Sequence, residues 1–388
     1  MGFLLFYLLA LLPLIVGGVL FILKSQITWQ EWLTGSALSF AVAGIMHATA
    51  LVGMTSDVET QSGQIVQSKE ISAWQEYYEK AIYRTETYYT TDGKGHRTRH
   101  TREVFSHWSP RTRWHDVNWQ CYSNISTSYS ITREHHYKLE KLFNDRQAVK
   151  GDRRTGEHNS RMIGGDPNDY VSNNKTGYIE PITKHASFEN RIKAAPSVFS
   201  FVKPPPNTVF SYPENNNPFN SDRLVGSAIL LDKLAFDQMN ARLGPKKKVN
   251  VIMVGFSNKP STYGQMQQAE WIGGKKNDIV ITFGGKNSKP DWVYVFGWTE
   301  KDIVKRDLES IVLKNGVTNE TMRLIEEEIV KNYVLKDWSK FDYIQIEPPT
   351  WAYIVYGIVL LISQAGFYVW AFSNFYDKNN YNRHRYGY

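Results

Sequence analysis

The chain has 388 residues, with 45 Lys and Arg against 38 Asp and Glu, and a net charge of +7. Its single cysteine, Cys121, excludes an intrachain disulfide. A mean hydropathy of -0.42 means that most of the chain faces water and that its apolar residues are concentrated in a few stretches.

Three such stretches carry almost no charge: residues 3–23, 33–54 and about 350–372. Each is about 20 residues long, the length of helix that crosses a bilayer's hydrocarbon core. The first lacks the basic start of a signal peptide and any small-residue cleavage motif after Leu23, so it reads as a retained span. The second is rich in Gly, Ala, Ser and Thr, which suits close helix packing in lipid. Its one ionisable group, His47, is expected to face another helix.

Residues 1–54 are therefore expected to form two transmembrane helices with a short loop, and residues 348–388 a third span with a short basic tail. Lys378, Arg383 and Arg385 against Asp377 favour a tail on the inside. The expected topology is N-terminus out, the loop of Lys24 and Glu31 in, residues 55–347 out. Trp29, Trp32, Trp351, Tyr353, Tyr356, Tyr368 and Trp370 fit interfacial belts. A lone cysteine in a large exported domain favours a bacterial or phage origin. The expected location is a bacterial inner (cytoplasmic) membrane, multi-pass, with a periplasmic domain. The sequons at Asn124, Asn174 and Asn319 then carry no meaning.

Residues 55–220 read as an irregular, basic, aromatic-rich α+β outer domain. Residues 55–70 alternate and leave the membrane as a strand. Within 72–89, Trp74, Tyr77, Tyr78 and Ala81 fit a helical template, although Tyr88-Tyr89-Thr90-Thr91 is strand-like. Residues 92–115 are basic and irregular. A strand over 117–132, a helix over 133–143, loops over 150–184 and a short helix over 188–195, stopped by Pro196, follow. Pro204-Pro205-Pro206 and Asn215-Asn216-Asn217-Pro218 mark a linker, with a boundary near residue 220.

From 221 to 347 the pattern is regular. A helix over 224–243 ends at Gly244-Pro245. Strands over 249–256, 278–283 and 292–296 enclose a helix over 262–272. Two more helices follow, 299–314 with Thr299 as N-cap and 318–334 with Thr318 as N-cap. Strands alternating with helices imply α/β layers around a buried sheet.

In that order, Lys248-Val249-Asn250-Val251-Ile252-Met253-Val254, Trp271-Ile272-Gly273-Gly274-Lys275-Lys276-Asn277-Asp278-Ile279 and Val293-Tyr294-Val295-Phe296-Gly297-Trp298 resemble the TPM domain family, over about 222–343. The resemblance implies an α/β/α sandwich held beside a membrane and facing outward. Some members are phosphatase-like, and some bind divalent metal through acidic residues at loop ends. The loop Gly255-Phe256-Ser257-Asn258-Lys259 has no carboxylate, so Asp278, Glu300 and Asp302 are the catalytic candidates. Their ordinary roles would be strand-edge solvation and helix N-terminal charge. Ser106–Pro110, Arg161–Tyr170 and Phe188–Pro196 resemble uncharacterised membrane proteins of tailed bacteriophages, which implies no function.

Six histidines lie between 96 and 136, with Cys121 among them, and both types ligate zinc. His107, His115 and Cys121 are the metal candidates. The spacing matches no zinc finger and the neighbours are arginines, so a solvated basic loop is the ordinary alternative. No cofactor is predicted, and a divalent metal is the one group these residues suit. Arg97, Arg99, Arg102, Trp108, Arg111, Arg113 and Trp114 combine cations with rings and are the partner-binding candidates. In an outward-facing domain the expected ligand is a partner protein, lipid headgroup or cell-wall polymer rather than nucleic acid. The Gly-Lys turns at 273–276 and 284–286 are not P-loops, Asp166–Asp169 lacks calcium-loop spacing, and no G-x-S-x-G occurs.

The expected function is a non-enzymatic, membrane-anchored interaction or assembly protein that binds a partner or itself. The alternatives are a phosphatase-like or metal-dependent hydrolase and an oligomeric, channel-like assembly.

Overall fold

The structure, a computed structural model, describes all residues except 1, 23–27, 92, 152, 154–159, 165–166, 196–203, 206, 215–216, 286–288 and 386–388. Lys24, Asp166, Pro196, Pro206, Asn215, Asn216 and Lys286 thus lie outside the described residues, as do the side chains of Lys378, Arg383 and Arg385.

The apolar N-terminal stretch forms two helices, α1 (Gly2–Ala10) and α2 (Leu12–Ile22), broken at Leu11 just before Pro13. Helix α3 (Trp29–Thr55) opens with a capping box. The Glu31 N–H donates to Thr28 Oγ1 at 3.2 Å, and the Thr28 N–H donates to the Glu31 carboxylate at 2.9 Å. Among the described residues two helices are long and apolar enough to cross a membrane by length and composition: α3, and the Thr350–Ser373 part of the C-terminal helix Thr350–Arg385. The apolar helices meet around Phe6, Ala10, Ala43, Tyr353 and Leu360, and His47 faces the Tyr7 ring of α1 at 6.0 Å.

Strand β1 (Ser56–Ile71) leaves α3 without a loop. Its first half pairs with one long neighbour, from Ser56↔Glu189 to Gln64↔Pro181, and its second half lies between two others. In chain order the outer region continues as β2 (Trp74–Thr91), β3 (Arg97–His115), β4 (Asn118–Ser123), β5 (Ser128–Ser130), α4 (Arg133–Phe143), β6 (Gln147–Lys150), β7 (Ser160–Gly164), β8 (Asn168–Asn173), β9 (Pro181–Glu189) and α5 (Arg191–Ala194). The first sheet runs β5-β4-β1-β8-β6, with β9 along β1, over a core of Ile65, Cys121, Leu139, Phe143 and Ile182. A second sheet is β3-β2-β7.

Two expectations for this region change, and one open reading is decided. Residues 74–91 form a strand throughout rather than the helix that Trp74–Ala81 also fits. Tyr83, Thr85, Thr87 and the Tyr-Tyr-Thr-Thr run suit a pleated surface, and pairing with β3 outweighs the short helical spacing at Trp74–Ala81. Residues 97–115, read as irregular, are one long strand. Residues 150–184, read as loops, contain β7, β8 and the start of β9.

The remaining elements are β10 (Leu224–Gly226), α6 (Lys233–Lys247), β11 (Asn250–Ser257), α7 (Thr262–Glu270), β12 (Asp278–Gly285), β13 (Trp292–Gly297), α8 (Ile303–Asn315), α9 (Asn319–Asn332) and α10 (Thr350–Arg385). They build a sheet ordered β10-β11-β12-β13, parallel through β12 and antiparallel at β13. Both faces are buried, as a parallel sheet requires. Val251, Met253, Ile279, Ile281 and Val295 face α6, α8 and α9. Ile252, Val254, Val280 and Phe296 face Trp271 and the segment Val209–Tyr212.

The helix expected over 224–243 starts later. Leu224–Gly226 pairs with β11, Ser227–Leu230 is a 3-10 turn, and Asp232 caps α6 by accepting from the Leu234 and Ala235 N–H groups. Thr299 is not an N-cap. Helix α8 begins at Ile303, and Thr299 Oγ1 donates to the Val334 carbonyl at 3.0 Å. Thr318 caps α9 as expected, accepting from the Thr321 N–H at 3.2 Å.

Candidate functional site

All seven partner-binding candidates, Arg97, Arg99, Arg102, Trp108, Arg111, Arg113 and Trp114, fall on β3. This strand pairs with β2 from Thr91↔Arg97 to Trp74↔His115, with one bulge between the Tyr83↔Phe105 and Ile82↔His107 pairs. Strand β7 pairs with Tyr77–Lys80, and beyond Lys80 the hairpin is, among the described residues, a two-stranded ribbon.

Alternation along the strands sorts the side chains onto two faces. One face carries a row of exposed rings: Trp114, Tyr77, Trp108, Phe105, Tyr83 and Tyr89. Phe105 touches Tyr83 and Trp108 at ring-centroid distances of 6.1 and 5.5 Å, and the Arg97 guanidinium lies 4.7 Å over Tyr89. The other face carries the Arg102 and Arg84 guanidiniums on Glu86 at 3.2 and 2.8 Å, with His100 stacked on Tyr88 at 5.2 Å. Basic and aromatic residues that interleave in the sequence are therefore partly separated in space.

The metal candidates are not brought together. His107 and His115 stand on the same strand, roughly 25 Å apart at the usual rise per residue. His115 bonds Glu76 at 2.7 Å and stacks on Trp74 at 4.5 Å. Cys121 is buried in the first sheet's core, where desolvation pushes its thiol up to about 11. Among the described residues no group of three His, Cys, Asp or Glu side chains is placed to hold a metal ion.

The carboxylate candidates are likewise separated. Asp278 opens β12 and is wholly buried. It accepts from Tyr212 OH at 2.9 Å, Asn250 Nδ2 at 2.8 Å and the Lys275 N–H at 2.7 Å. Burial pushes its carboxyl up to about 6, and these donors limit the rise. Glu300 is held by Lys340 at 2.8 Å and the Asp337 N–H at 3.0 Å. Asp302 precedes α8 and pairs with Lys305 at 2.8 Å. Asp278 is closed by its partners, while Glu300 and Asp302 form surface ion pairs.

Asp278 belongs to a polar seam that the sequence does not announce. Arg223, 1% exposed, donates to Asn250 Oδ1 at 2.7 Å, Ser62 Oγ at 2.6 Å and Ser221 Oγ at 2.8 Å. The turn Gly273-Gly274, at φ of 79° and 85°, turns the next residues onto β1. There Lys275 bonds Asp57, Lys276 pairs with Glu59 at 3.3 Å, and Asn277 Nδ2 donates to the Thr60 carbonyl at 2.8 Å. The Gly-Lys turn fastens the α/β layers to the strand leaving α3. No local signal marks Arg223, Tyr212 or Asp57, because the partners that close the seam, Ser62, Asn250, Asp278 and Lys275, are remote in the chain.

A cleft of about 1440 Å³ opens at the carboxyl ends of β10 and β11, between them and residues 204–205 and 207–211. Open α/β sheets commonly hold ligands at this end. Its polar lining includes Ser227, Ser257 and Lys259. A Cβ on Gly226 would lie 2.3 Å from the Gly255 carbonyl oxygen, so the floor tolerates no side chain there.

Comparison with protein-family models, with curated proteins and with solved structures finds no match to this chain.

Proposed function

We propose that this is a membrane-anchored interaction or assembly protein, non-enzymatic, whose β2–β3 ribbon makes the contact. The observation that carries this reading is the ribbon itself. Beyond Lys80, among the described residues, both edges are unpaired and the rings of Tyr83, Phe105 and Tyr89 are exposed, Tyr89 at 53%. Two strands without a supporting layer are marginally stable in water, and rows of exposed rings mark interaction surfaces.

Three spans, a periplasmic domain and an inner-membrane location belong to the same proposal. The support for α1–α2 as a broken span is that its carbonyls at the break are taken by neighbouring helices. Gln364 Nε2 donates to Leu9, Ser39 Oγ to Ala10, Tyr368 OH to Pro13 and Trp32 Nε1 to Leu14, at 3.1, 3.0, 3.1 and 2.9 Å. Phe6 lies by Tyr353 and Tyr356, at the end of the bundle nearest β1, while Phe21 stacks on Trp32 at the other. With the basic tail inside, the N-terminus and the large domain are outside.

The test replaces residues 83–105 by a two-residue turn in the full chain and cross-links it in membranes. The expected result is loss of cross-linked complexes with membrane insertion unchanged; complexes identical to those of the parent chain overturn the reading. The cleft at the β10 and β11 ends favours a second reading, a TPM-like, phosphatase-like hydrolase. Hydrolysis of a generic phosphomonoester by the full chain with Mg²⁺, abolished by Ser227→Ala with Ser257→Ala in the cleft, would replace the first.

A further inference from the structure

Resting on the reading of the ribbon as the contact surface, we infer that the free edge of β3 from Arg97 to Phe105 receives an acidic, extended segment of a partner protein as an added β-strand. In the sheet β3-β2-β7, β3 is an edge, and among the described residues nothing pairs with its outer side. Alternate main-chain N–H and C=O groups of such an edge point outward, which is the template that strand addition uses. The bulge at Ser106 and the imino residue Pro110 interrupt this edge nearer its root. Residues 97–105 are left as the uninterrupted stretch.

Charge selects the occupant. The stretch carries Arg97, Arg99 and Arg102 against Glu103 alone, with His100 between, and the three arginines are exposed. Cross-strand neighbours of opposite charge stabilise a sheet and like charges oppose it. A second copy would bring another net-positive strand against the first, so an acidic strand fits better. The protein's own bilayer fits less well. The ribbon is rooted at the end of β1 remote from α3, and the 16 residues of β1 span about 53 Å at the usual rise. A third strand would also supply the support that the two-stranded part lacks. The row of rings at Tyr83, Tyr89 and Phe105 would lie beside the alternate, apolar side chains of the incoming segment.

The experiment uses the full chain in nanodiscs and a labelled ten-residue peptide of alternating Glu and Val. Its controls are the Lys and Val counterpart and a Glu and Val peptide N-methylated at alternate residues. Anisotropy is expected to give at least tenfold tighter binding of the Glu peptide than of either control. Hydrogen exchange at residues 97–105 is expected to slow when it binds. Arg97→Glu with Arg99→Glu and Arg102→Glu is expected to transfer the preference to the Lys peptide. Equal binding of methylated and unmodified Glu peptides overturns strand addition, leaving attraction of charge only. Ribbon-dependent dimerisation without peptide binding assigns the edge to a second copy. Binding to phosphatidylglycerol vesicles, lost in the triple variant and without peptide preference, assigns it to lipid; either result overturns the inference. Complexes lost on shortening the ribbon, with no discrimination among peptides, overturn this inference alone. Unchanged complexes overturn the reading beneath it.

Discussion

Lys275, on the glycine turn before β12, is hydrogen-bonded to Asp57, the second residue of β1 and 218 positions earlier. The pair joins the α/β layers to the strand that emerges from α3. Asp57 is 6% exposed and also accepts from Asn190 Nδ2 at 2.7 Å, so its charge is both confined and satisfied.

Removing one partner of such a pair leaves the other charge poorly solvated. Lys275→Ala and Asp57→Ala are each expected to cost about 2–4 kcal/mol in chemical denaturation of the full chain. The double variant is expected to cost less than the two singles together. Additive losses would mean the pair is not coupled.

Asp57 and Asp278 respond to pH in opposite directions. Burial raises the Asp57 carboxyl, but the Lys275 and Asn190 hydrogen bonds outweigh it and hold it below the ordinary range. Its stability contribution is present above the ordinary value and is lost as pH falls through the lowered one. Asp278 moves from 3.8 up to about 6, chiefly by burial. Its contribution is full below 3.8 and is lost as pH rises through about 6. Asp278→Asn is therefore expected to remove a fall in Tm between about pH 4 and pH 6. A parallel Tm profile for parent and variant would contradict this.

Helix α6 crosses β1 at Gly244, where an added Cβ would lie 2.0 Å from the Ser62 carbonyl oxygen. That atom is main chain and cannot swing aside. Gly244→Ala is expected to destabilise by about 1–3 kcal/mol through overpacking, and to speed proteolysis at the seam. A variant with unchanged Tm and protease resistance would show that the contact yields.

Within the apolar helices, Gln364 Nε2 also donates to Ser39 Oγ at 2.8 Å. Gln364→Leu strips the Leu9 carbonyl and Ser39 of this donor. Unfolding in bicelles is expected to show a loss of about 0.6–2 kcal/mol, the range of interhelical hydrogen bonds in lipid. An unchanged unfolding midpoint would remove the clasp from the account of α1–α2.

The exposed rings make a contrasting prediction. Trp114→Ala and Phe105→Ala are each expected to change stability by less than about 0.5 kcal/mol, as exposed substitutions do, while weakening the cross-linked complexes. Rings that proved important for stability but not for complexes would be structural.

The strand at 55–70, the helix at 133–143 and the strands at 249–256 and 278–283 are legible because each rests on its own period and its own stop signals. The ribbon was missed. Its β2 half imitates a helical stripe over Trp74–Ala81, and its β3 half has no apolar alternation, since neither face of the distal part is buried. Candidate carboxylates were chosen by their place at loop edges, and that criterion does not show that Asp278 is closed by Tyr212 and Asn250 or that Glu300 is held by Lys340.

Runs of uncharged residues and the alternation of buried strands with helices are properties of neighbouring residues, so the sequence by itself determined the apolar helices and the α/β order of residues 233–332. Pairing and burial of polar groups depend on partners that the chain brings from far away. Only the tertiary structure set Trp74–His115 as a projecting ribbon, separated its rings from the Arg102 and Arg84 charges, and made the Gly-Lys turn at 273–276 a clamp on β1. A strand edge or a buried ion pair exists only once its far partner, or the lack of one, is in place.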